Sequence, residues 1–427
     1  MSGRRIVLIG AGSMVFSKGL LMDVVLTPQL SGSTVVLVDT NPEKLDLITR
    51  LAERLVRQQG VSISIESTTD RRLALPAADY VITTISVGGQ AAWETDLRIP
   101  SKYGIVQPVG DTWGPGGLSR ALRHIPVILA IARDMETLCP RAILFNYSNP
   151  NTAICRAVAR ETGIRVVGLC HGVRNTERFL ADYMGVPLQE LEVRAAGINH
   201  LVWMVQILHG GRDAYPELHA ALADKGPGAR PASFELMRIY GFFPGPGHDH
   251  IAEAYPFFTS ARADLGRRYG LHTMSLAQMN EAREQRLARF RVWADGTEPI
   301  PVEPSGEDVM EIITALITQR GKVCAVNVPN GGAIAGLQDW AVVEVSALVD
   351  GAGIQPLHTA DLPKGILTTL RARIDQIELV VDAAVHCDRT AALQALLAEN
   401  AIGSVADAEA MLEELLQAHA SYLPGRF

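Results

Sequence analysis

The sequence predicts an α/β protein: a parallel sheet covered by helices on both faces, followed by a second, mixed α+β domain. Three observations carry this reading. Short, continuous apolar runs alternate with longer helical stretches through the first 150 or so residues, the pattern of a sheet buried on both faces. A glycine turn stands between the first such run and the helix after it. Past about residue 195 the alternation gives way to mostly helical segments with only two strand-like runs.

The elements follow in order. Ile6–Ile9 is the first strand, and a helix is expected over about 13–27. Thr34–Val38 is a second strand and Asn41–Gln59 a second helix. Ser62–Glu66, Tyr80–Ile85, Ala142–Phe145 and Arg165–Leu169 continue the strands. In the second part, helices are expected within Leu218–Ala223, Leu276–Arg291, Gly306–Thr318, Arg371–Glu399 and Val405–His419. Val323–Val328 and Val342–Val345 are strand-like. The Gly/Pro-rich segment Gly241-Phe242-Phe243-Pro244-Gly245-Pro246-Gly247 interrupts them. The expected division is 1–195 and 196–427.

Composition narrows the function. The 427 residues carry 39 Lys+Arg against 46 Asp+Glu, a formal charge of -7, with neither a basic surplus nor a basic stripe. Nucleic acid is therefore not an expected partner. Hydrophobic residues make up 48%, enough for a large core. No uncharged apolar run is long enough to span a membrane, and the run after Arg4-Arg5 stops after four residues, too short for a signal peptide. Five scattered cysteines without CxxC spacing point to a reduced, cytoplasmic location.

Gly10-Ala11-Gly12-Ser13 follows a strand and opens towards a helix. Glycines there permit a tight turn and let a pyrophosphate approach free N–H groups at the helix start. The motif is incomplete, because Val15 stands at its third position. Asp39, 29 residues after Gly10, ends the second strand and can accept hydrogen bonds from a ribose diol while repelling a 2′-phosphate. The expectation is a Rossmann-type domain binding NAD through Gly10, Gly12, Ser13, Met14 and Asp39.

The polar clusters are less decisive one by one. Asn146-Tyr147-Ser148-Asn149-Pro150-Asn151 follows a strand of the same sheet, where ligands sit, yet Asn and Pro also serve ordinary turns. Cys170-His171-Gly172 and Ile198-Asn199-His200 place a thiol and an imidazole at two strand ends. Such a pair makes half of a divalent-metal site, though alone it is more often a core thiol and a satisfied histidine. The run His248-Asp249-His250-Ile251-Ala252-Glu253-Ala254-Tyr255 packs titratable groups behind a Gly/Pro segment. It suits acid–base or metal chemistry, or a solvated loop capped by Asp249. Asp111-Thr112-Trp113-Gly114-Pro115-Gly116-Gly117 reads locally as a turn before a helix.

Taken together and in order, the motifs resemble glycoside hydrolase family 4. They are Gly10-Ala11-Gly12-Ser13, Val87-Gly88-Gly89, Ile99-Pro100-Ser101-Lys102-Tyr103-Gly104, Gly114-Pro115-Gly116-Gly117, Asn149-Pro150, Cys170-His171-Gly172, Asn199-His200, Asn327-Val328-Pro329-Asn330-Gly331-Gly332-Ala333-Ile334 and Val342-Val343-Glu344-Val345. The resemblance implies a lactate/malate dehydrogenase-like first domain and a glycosidase needing NAD and a divalent metal, for which the sulfur and imidazole of Cys170 and His200 suit Mn, Fe, Co or Ni better than Ca, Mn²⁺ being the first expectation. It implies Cys170 and His200 as metal ligands and Asn149 as a holder of substrate hydroxyls. His171 matches a position that is Asp in some relatives, and Asp111 an acidic position closing over the substrate. Asp249 is the favoured base, with His250 and Tyr255 as alternatives. A homodimer or homotetramer is implied as well.

The family's route departs from the two-carboxylate rule of most glycosidases. C3 of the sugar is oxidised, the C2 proton is removed, the aglycone is eliminated, water adds, and C3 is reduced again. Trp93 aligns where phospho-glycosidase relatives carry Arg, which argues against a 6-phosphate. Cys170-His171-Gly172 and Asp249-His250-Ile251-Ala252-Glu253 resemble the branch acting on unphosphorylated α-galactosides, α-glucosides, α-galacturonides or α-glucuronides. Trp93 and Trp113 are each readable as a sugar platform or as core. The rival readings are an NAD-dependent sugar or hydroxy-acid dehydrogenase and a non-enzymatic nucleotide sensor.

Overall fold

The computed structural model describes residues 3–427 except 260, 272–275, 360, 400 and 426. Its strands are β1 (Arg5–Ile9), β2 (Thr34–Val38), β3 (Ser64–Thr68), β4 (Tyr80–Thr83), β5 (Ile143–Asn146), β6 (Arg165–Gly168), β7 (Leu191–Ile198), β8 (Leu201–His209), β9 (Arg212–Asp213), β10 (Phe243–Gly245), β11 (Lys322–Pro329), β12 (Val342–Asp350) and β13 (Gly353–Pro356). Among the described residues they form one 13-stranded sheet. The order β3-β2-β1-β4-β5-β6 is parallel throughout, the doubly wound dinucleotide-binding arrangement. β1, β2, β4 and β5 are apolar without alternation because helices bury both faces. Beyond β6 the sheet turns antiparallel, running on through β11, β12, β7, β8 and β10.

The mixed second part is thus welded to the first through the Asn327–Gly168 pairing of β11 with β6. Residue 195 lies within β7, at a register shift between Arg194 and Ala195. A single apolar cluster runs from Val7, Leu37 and Phe145 to Val326, Val345 and Ile374. Truncating a fully buried member such as Leu37 to Ala would cost about 2–5 kcal/mol.

Two helices differ from expectation. The first spans Ser17–Val25 and not 13–27. Gly10 adopts φ +90°; the Ser13 N–H donates to the Gly10 carbonyl at 3.0 Å, closing a turn over 10–13, and the Ser17 N–H donates to the Ser13 carbonyl at 3.1 Å, closing a second turn before the helix begins. The stretch Arg371–Glu399 lies in two helices, Lys364–His386 and Arg389–Leu397. Cys387 turns left-handed at φ +54°, and the Asp388 carboxylate caps the second helix by accepting from the Thr390 and Ala391 N–H groups.

The carboxyl ends of β1, β4, β5 and β6 open at one end of the sheet, where ligands of such folds sit. β7 and β8 join there through a two-residue turn, Asn199-His200, between the paired Ile198 and Leu201.

Candidate active site

At the nucleotide corner the glycines are sterically required. A Cβ on Gly10 would lie 2.8 Å from the Thr84 carbonyl carbon, and one on Gly12 would lie 2.7 Å from Asp39 Oδ2. Asp39 is anchored by the backbone: Oδ2 accepts from the Gly12 N–H and Oδ1 from the Asn41 N–H, each at 2.8 Å. Each carboxylate oxygen keeps a lone pair for another donor. Val15 shows why the third glycine is dispensable. It stands 64% exposed before the helix starts, so no close helix–strand contact forms at that position. Met14 packs on the core, and Ser13 sits in the turn, its Oγ 3.4 Å from the Phe16 N–H.

The second cluster is assembled from four distant segments. Cys170 follows β6, and its Sγ accepts from the Gly172 N–H at 3.3 Å. His200 Nε2 is 3.6 Å from that sulfur. His200 has φ +62°, a left-handed conformation costing about 1–2 kcal/mol for a non-glycine residue. Its carbonyl accepts from Trp113 Nε1 at 3.3 Å, which helps hold it. On the other side of the ring, Nδ1 lies 2.8 Å from Thr112 Oγ1 and 3.6 Å from Asp111 Oδ1. Asp111 also takes the Thr112 hydroxyl at 2.8 Å and Asn149 Nδ2 at 2.7 Å. The His250 ring lies edge-on to His200, 4.4 Å between centroids. Ligand atoms of Asp111, His200 and His250 all fall within 4.8 Å of one another.

The fold brings His250 there through a close backbone approach. Gly172 lies against Pro246, where a Cβ would meet the proline Cβ at 2.1 Å, and the Thr176 hydroxyl donates to the Pro246 carbonyl at 2.9 Å. The short helix His248–Glu253 follows directly. Asn149 precedes a cis peptide to Pro150, and its carbonyl accepts from Arg120 Nε at 3.1 Å.

Electrostatics mark the cluster as built for charge. Burial opposes ionisation of Asp111, but the hydrogen bond and charge of His200 overcome it and hold the carboxyl well below its usual range. Burial opposes charge on His200 too, yet Asp111 and Cys170 raise it well above an ordinary histidine. Burial, with the His200 charge, pushes His250 down to about 4, so its ring is neutral and free to donate a lone pair. Two buried acids stand behind. Burial raises Glu253 to about 8 against the N–H groups of Val109 and Gly110 that it accepts from. Burial raises Glu344 to about 7, and its Oε2 accepts from Asn199 Nδ2 at 3.2 Å.

The sequence-predicted residues fall into two groups. Asp111, Asn149, Cys170, His200 and His250 come together. Asp249 sits in the first turn of the His248–Glu253 helix, partly buried, with no hydrogen bond to the cluster among the described residues. His171 is half-exposed, bonded to Glu307 at 3.2 Å and 6.4 Å from the Phe16 ring, towards the nucleotide corner. Tyr255 is buried among Tyr240, Phe257 and Phe258 and shows no hydrogen bond to Cys170, His200 or Asp111 among the described residues. Trp93 donates its Nε1 to the Val109 carbonyl at 2.6 Å, and Trp113 is 3% exposed with Arg373 over its ring. Trp113 is therefore core. Sequence reasoning missed Arg120 and Thr112, and gave Glu253 no role of its own. For Glu253 a signal existed: His250 and Glu253 are three apart, neighbours on one helical turn.

Comparison with known proteins fits this arrangement. Residues 5–186 match the family 4 glycosyl hydrolase model, and residues 195–402 match the family 4 glycosyl hydrolase C-terminal domain. An α-galactosidase of Bacillus subtilis is 34% identical over 434 residues, covering 99% of both chains. An α-glucosidase of Erwinia rhapontici is 31% identical, covering 93% of both, and an α-galacturonidase of B. subtilis is 30% identical, covering 97% of both. Among solved structures, the B. subtilis lplD protein superposes with a TM-score of 0.90 at 27% identity, over 97% of this chain and 100% of that one. A Thermotoga maritima 6-phospho-β-glucosidase solved with manganese, NAD⁺ and glucose-6-phosphate gives 0.84 at 23% identity, over 98% and 99%, a likeness of fold. A Plasmodium falciparum malate dehydrogenase gives 0.52 at 13%, over 90% and 99%, again a likeness of fold.

Proposed function

The chain belongs to family 4 of the glycosyl hydrolases, and from that premise we propose that it hydrolyses unphosphorylated α-glycosides with NAD and a divalent metal, Mn²⁺ first. The observation carrying this reading is the meeting of Cys170, His200, His250 and Asp111 at the same end of the sheet as the Gly10–Asp39 corner.

The residues present fit both groups. At the corner, Gly10 and Gly12 let Thr84 and Asp39 pack directly on the turn, and each Asp39 oxygen, having accepted one backbone N–H, keeps a lone pair for a ribose hydroxyl. A set of one sulfur, two imidazole nitrogens and one carboxylate oxygen suits a borderline transition ion better than Ca²⁺ or Mg²⁺. When bound, the two groups supply hydride transfer at C3 and charge stabilisation at the sugar oxygens. The protein does the rest. Asn149 orients a hydroxyl pair, its amide already fixed by Asp111. Next to a C3 ketone, the C2–H is acidic enough for a side-chain base, which must come within about 3 Å or act through one water. Asp249 is the first choice. His250 is a ligand before it is a base, and Tyr255 would have to leave its aromatic packing. His171, whose Nδ1 lies 3.2 Å from Glu307, is kept as a further catalytic candidate.

Substrates are small glycosides, α-galactosides, α-glucosides or α-uronides. Trp93 supports the unphosphorylated class, since its N–H is spent on Val109 and supplies no cation for a phosphate. No described helix is long and apolar enough to cross a membrane. The working form is read as a cytoplasmic homodimer or homotetramer, with Gly10–Asp39 in a 1–195 nucleotide domain and β8 onward in 196–427. A panel of nitrophenyl α- and β-glycosides with NAD, Mn²⁺ and a thiol reductant tests the reading. Release of nitrophenol from an α-glycoside without net NADH is expected. Stoichiometric NADH accumulation would instead identify a dehydrogenase.

A further inference from the structure

The Asp111 carboxylate hangs on an irregular segment between the helices Gly89–Ser101 and Gly114–Leu138. A ligand on such a segment holds its place only if the backbone around it is fixed. Here the fixing group comes from the helix that carries His250. Glu253 Oε1 accepts from the Val109 N–H at 2.6 Å and the Gly110 N–H at 2.8 Å, while Oε2 accepts from Gly110 at 3.1 Å. Glu253 is 5% exposed, so these bonds are shielded from water. The opposite edge of the same peptide segment is held by Trp93, whose Nε1 donates to the Val109 carbonyl. Gly110 adopts φ +62°, which aims its N–H at the carboxylate, and Asp111 is the next residue.

We infer that Glu253 is a positioning residue: it keeps the Asp111 loop in register with His250, so that two of the four metal-facing groups arrive as one unit. His250 and Glu253 lie one turn apart on a six-residue helix, and movement of that helix carries both. The inference rests on the metal reading above but concerns contacts that exist without the ion.

The test compares wild type with Glu253→Gln and Glu253→Ala in the full chain. Mn²⁺ affinity is measured by the paramagnetic resonance signal of free Mn²⁺, and NAD affinity by titration calorimetry. Glutamine keeps an oxygen that can accept from both N–H groups, and alanine keeps none. The expected result is a roughly 10- to 100-fold loss of Mn²⁺ affinity in Glu253→Ala, with most of it restored in Glu253→Gln and NAD affinity within about twofold throughout. Wild-type Mn²⁺ affinity in Glu253→Ala, an equal loss in Glu253→Gln, or a parallel loss of NAD binding would each overturn it. If wild type itself binds no divalent ion, the metal reading fails separately. Amide exchange at Val109 and Gly110 then decides the positioning role. Exchange at least about tenfold faster in Glu253→Ala, with β1 unchanged, supports it, and unchanged exchange at those amides overturns it.

Discussion

The nucleotide corner and the metal cluster lie at one end of one sheet but are built in opposite ways. The corner comes from a contiguous stretch, β1 to the end of β2, and its parts are backbone N–H groups, two glycines and one acid held by those same N–H groups. The cluster comes from four segments, around Asp111, Cys170, His200 and His250, and its parts are side chains. The corner needs the pairing of β1 with β2 and the close pass of Thr84 against Gly10. The cluster needs the antiparallel extension of the sheet, a left-handed histidine and a glycine packed on proline. Built so differently, the two should fail independently.

The largest effect should come from the cluster. Chelation, or His200→Ala, should lower glycoside turnover by about 1,000-fold or more, since charge stabilisation at the sugar oxygens is lost. NAD affinity by calorimetry should stay near wild type. A simultaneous collapse of NAD binding would show that the two regions are one unit. Next, Asp249→Ala should lower kcat by about 100-fold or more, as for a lost general base, while Mn²⁺ affinity holds. His250→Ala should weaken Mn²⁺ binding itself. Metal titrations of the two variants separate base from ligand, and normal kcat in Asp249→Ala moves the base elsewhere.

A smaller effect belongs to the corner. Asp39→Ala removes an ionised acceptor, worth about 1.5–3 kcal/mol, and should weaken NAD binding roughly 10- to 100-fold without changing Mn²⁺ affinity. Discrimination against NADP should fall at the same time. The smallest effect is one of stability. Burial raises Glu344 to about 7, above its unfolded range, so the metal-free folded chain binds more protons than the unfolded one between about pH 4.5 and 7. Stability contributed by this group is therefore lost as pH rises through that window. Urea midpoints should fall more steeply over the window in wild type than in Glu344→Gln, and parallel curves would remove Glu344 as the source.

Much of the corner was legible in the sequence because its signals are local. Thr34–Val38 is the observed strand, Asn41 caps the helix Pro42–Gln59 through the Lys44 N–H, and Asp39 stands at the strand's tip. The helix start at Ser17 was not legible, because two successive turns, Gly10–Ser13 and Ser13–Ser17, precede it and Phe16 at its N-cap offers no capping side chain. In the cluster, Cys170 and His200 could be paired from their strand ends, but only the resemblance favoured ligation over a core thiol and a satisfied histidine. Their approach to Asp111 and His250 depends on long-range pairing of β7 with β12 and of β8 with β10, which no local pattern encodes. Glu253 reads in sequence as one more titratable residue of a polar run. Its burial under Val109 and Gly110 is a tertiary fact. The long helical stretch 371–399 hid a break because His386-Cys387-Asp388 has no glycine or proline to announce it.

In the proposed chemistry the corner and the cluster act on adjacent carbons of one sugar, with oxidation at C3 making the C2 proton removable. Hydrolysis of an α-glycoside in D₂O, with NAD and Mn²⁺ present, reads this directly by NMR of the product. Deuterium at C2 after complete turnover is the predicted result, because the abstracted proton exchanges with solvent before water adds. A product carrying only hydrogen at C2 would contradict the elimination route, and with it the reason for a dinucleotide corner in a glycosidase.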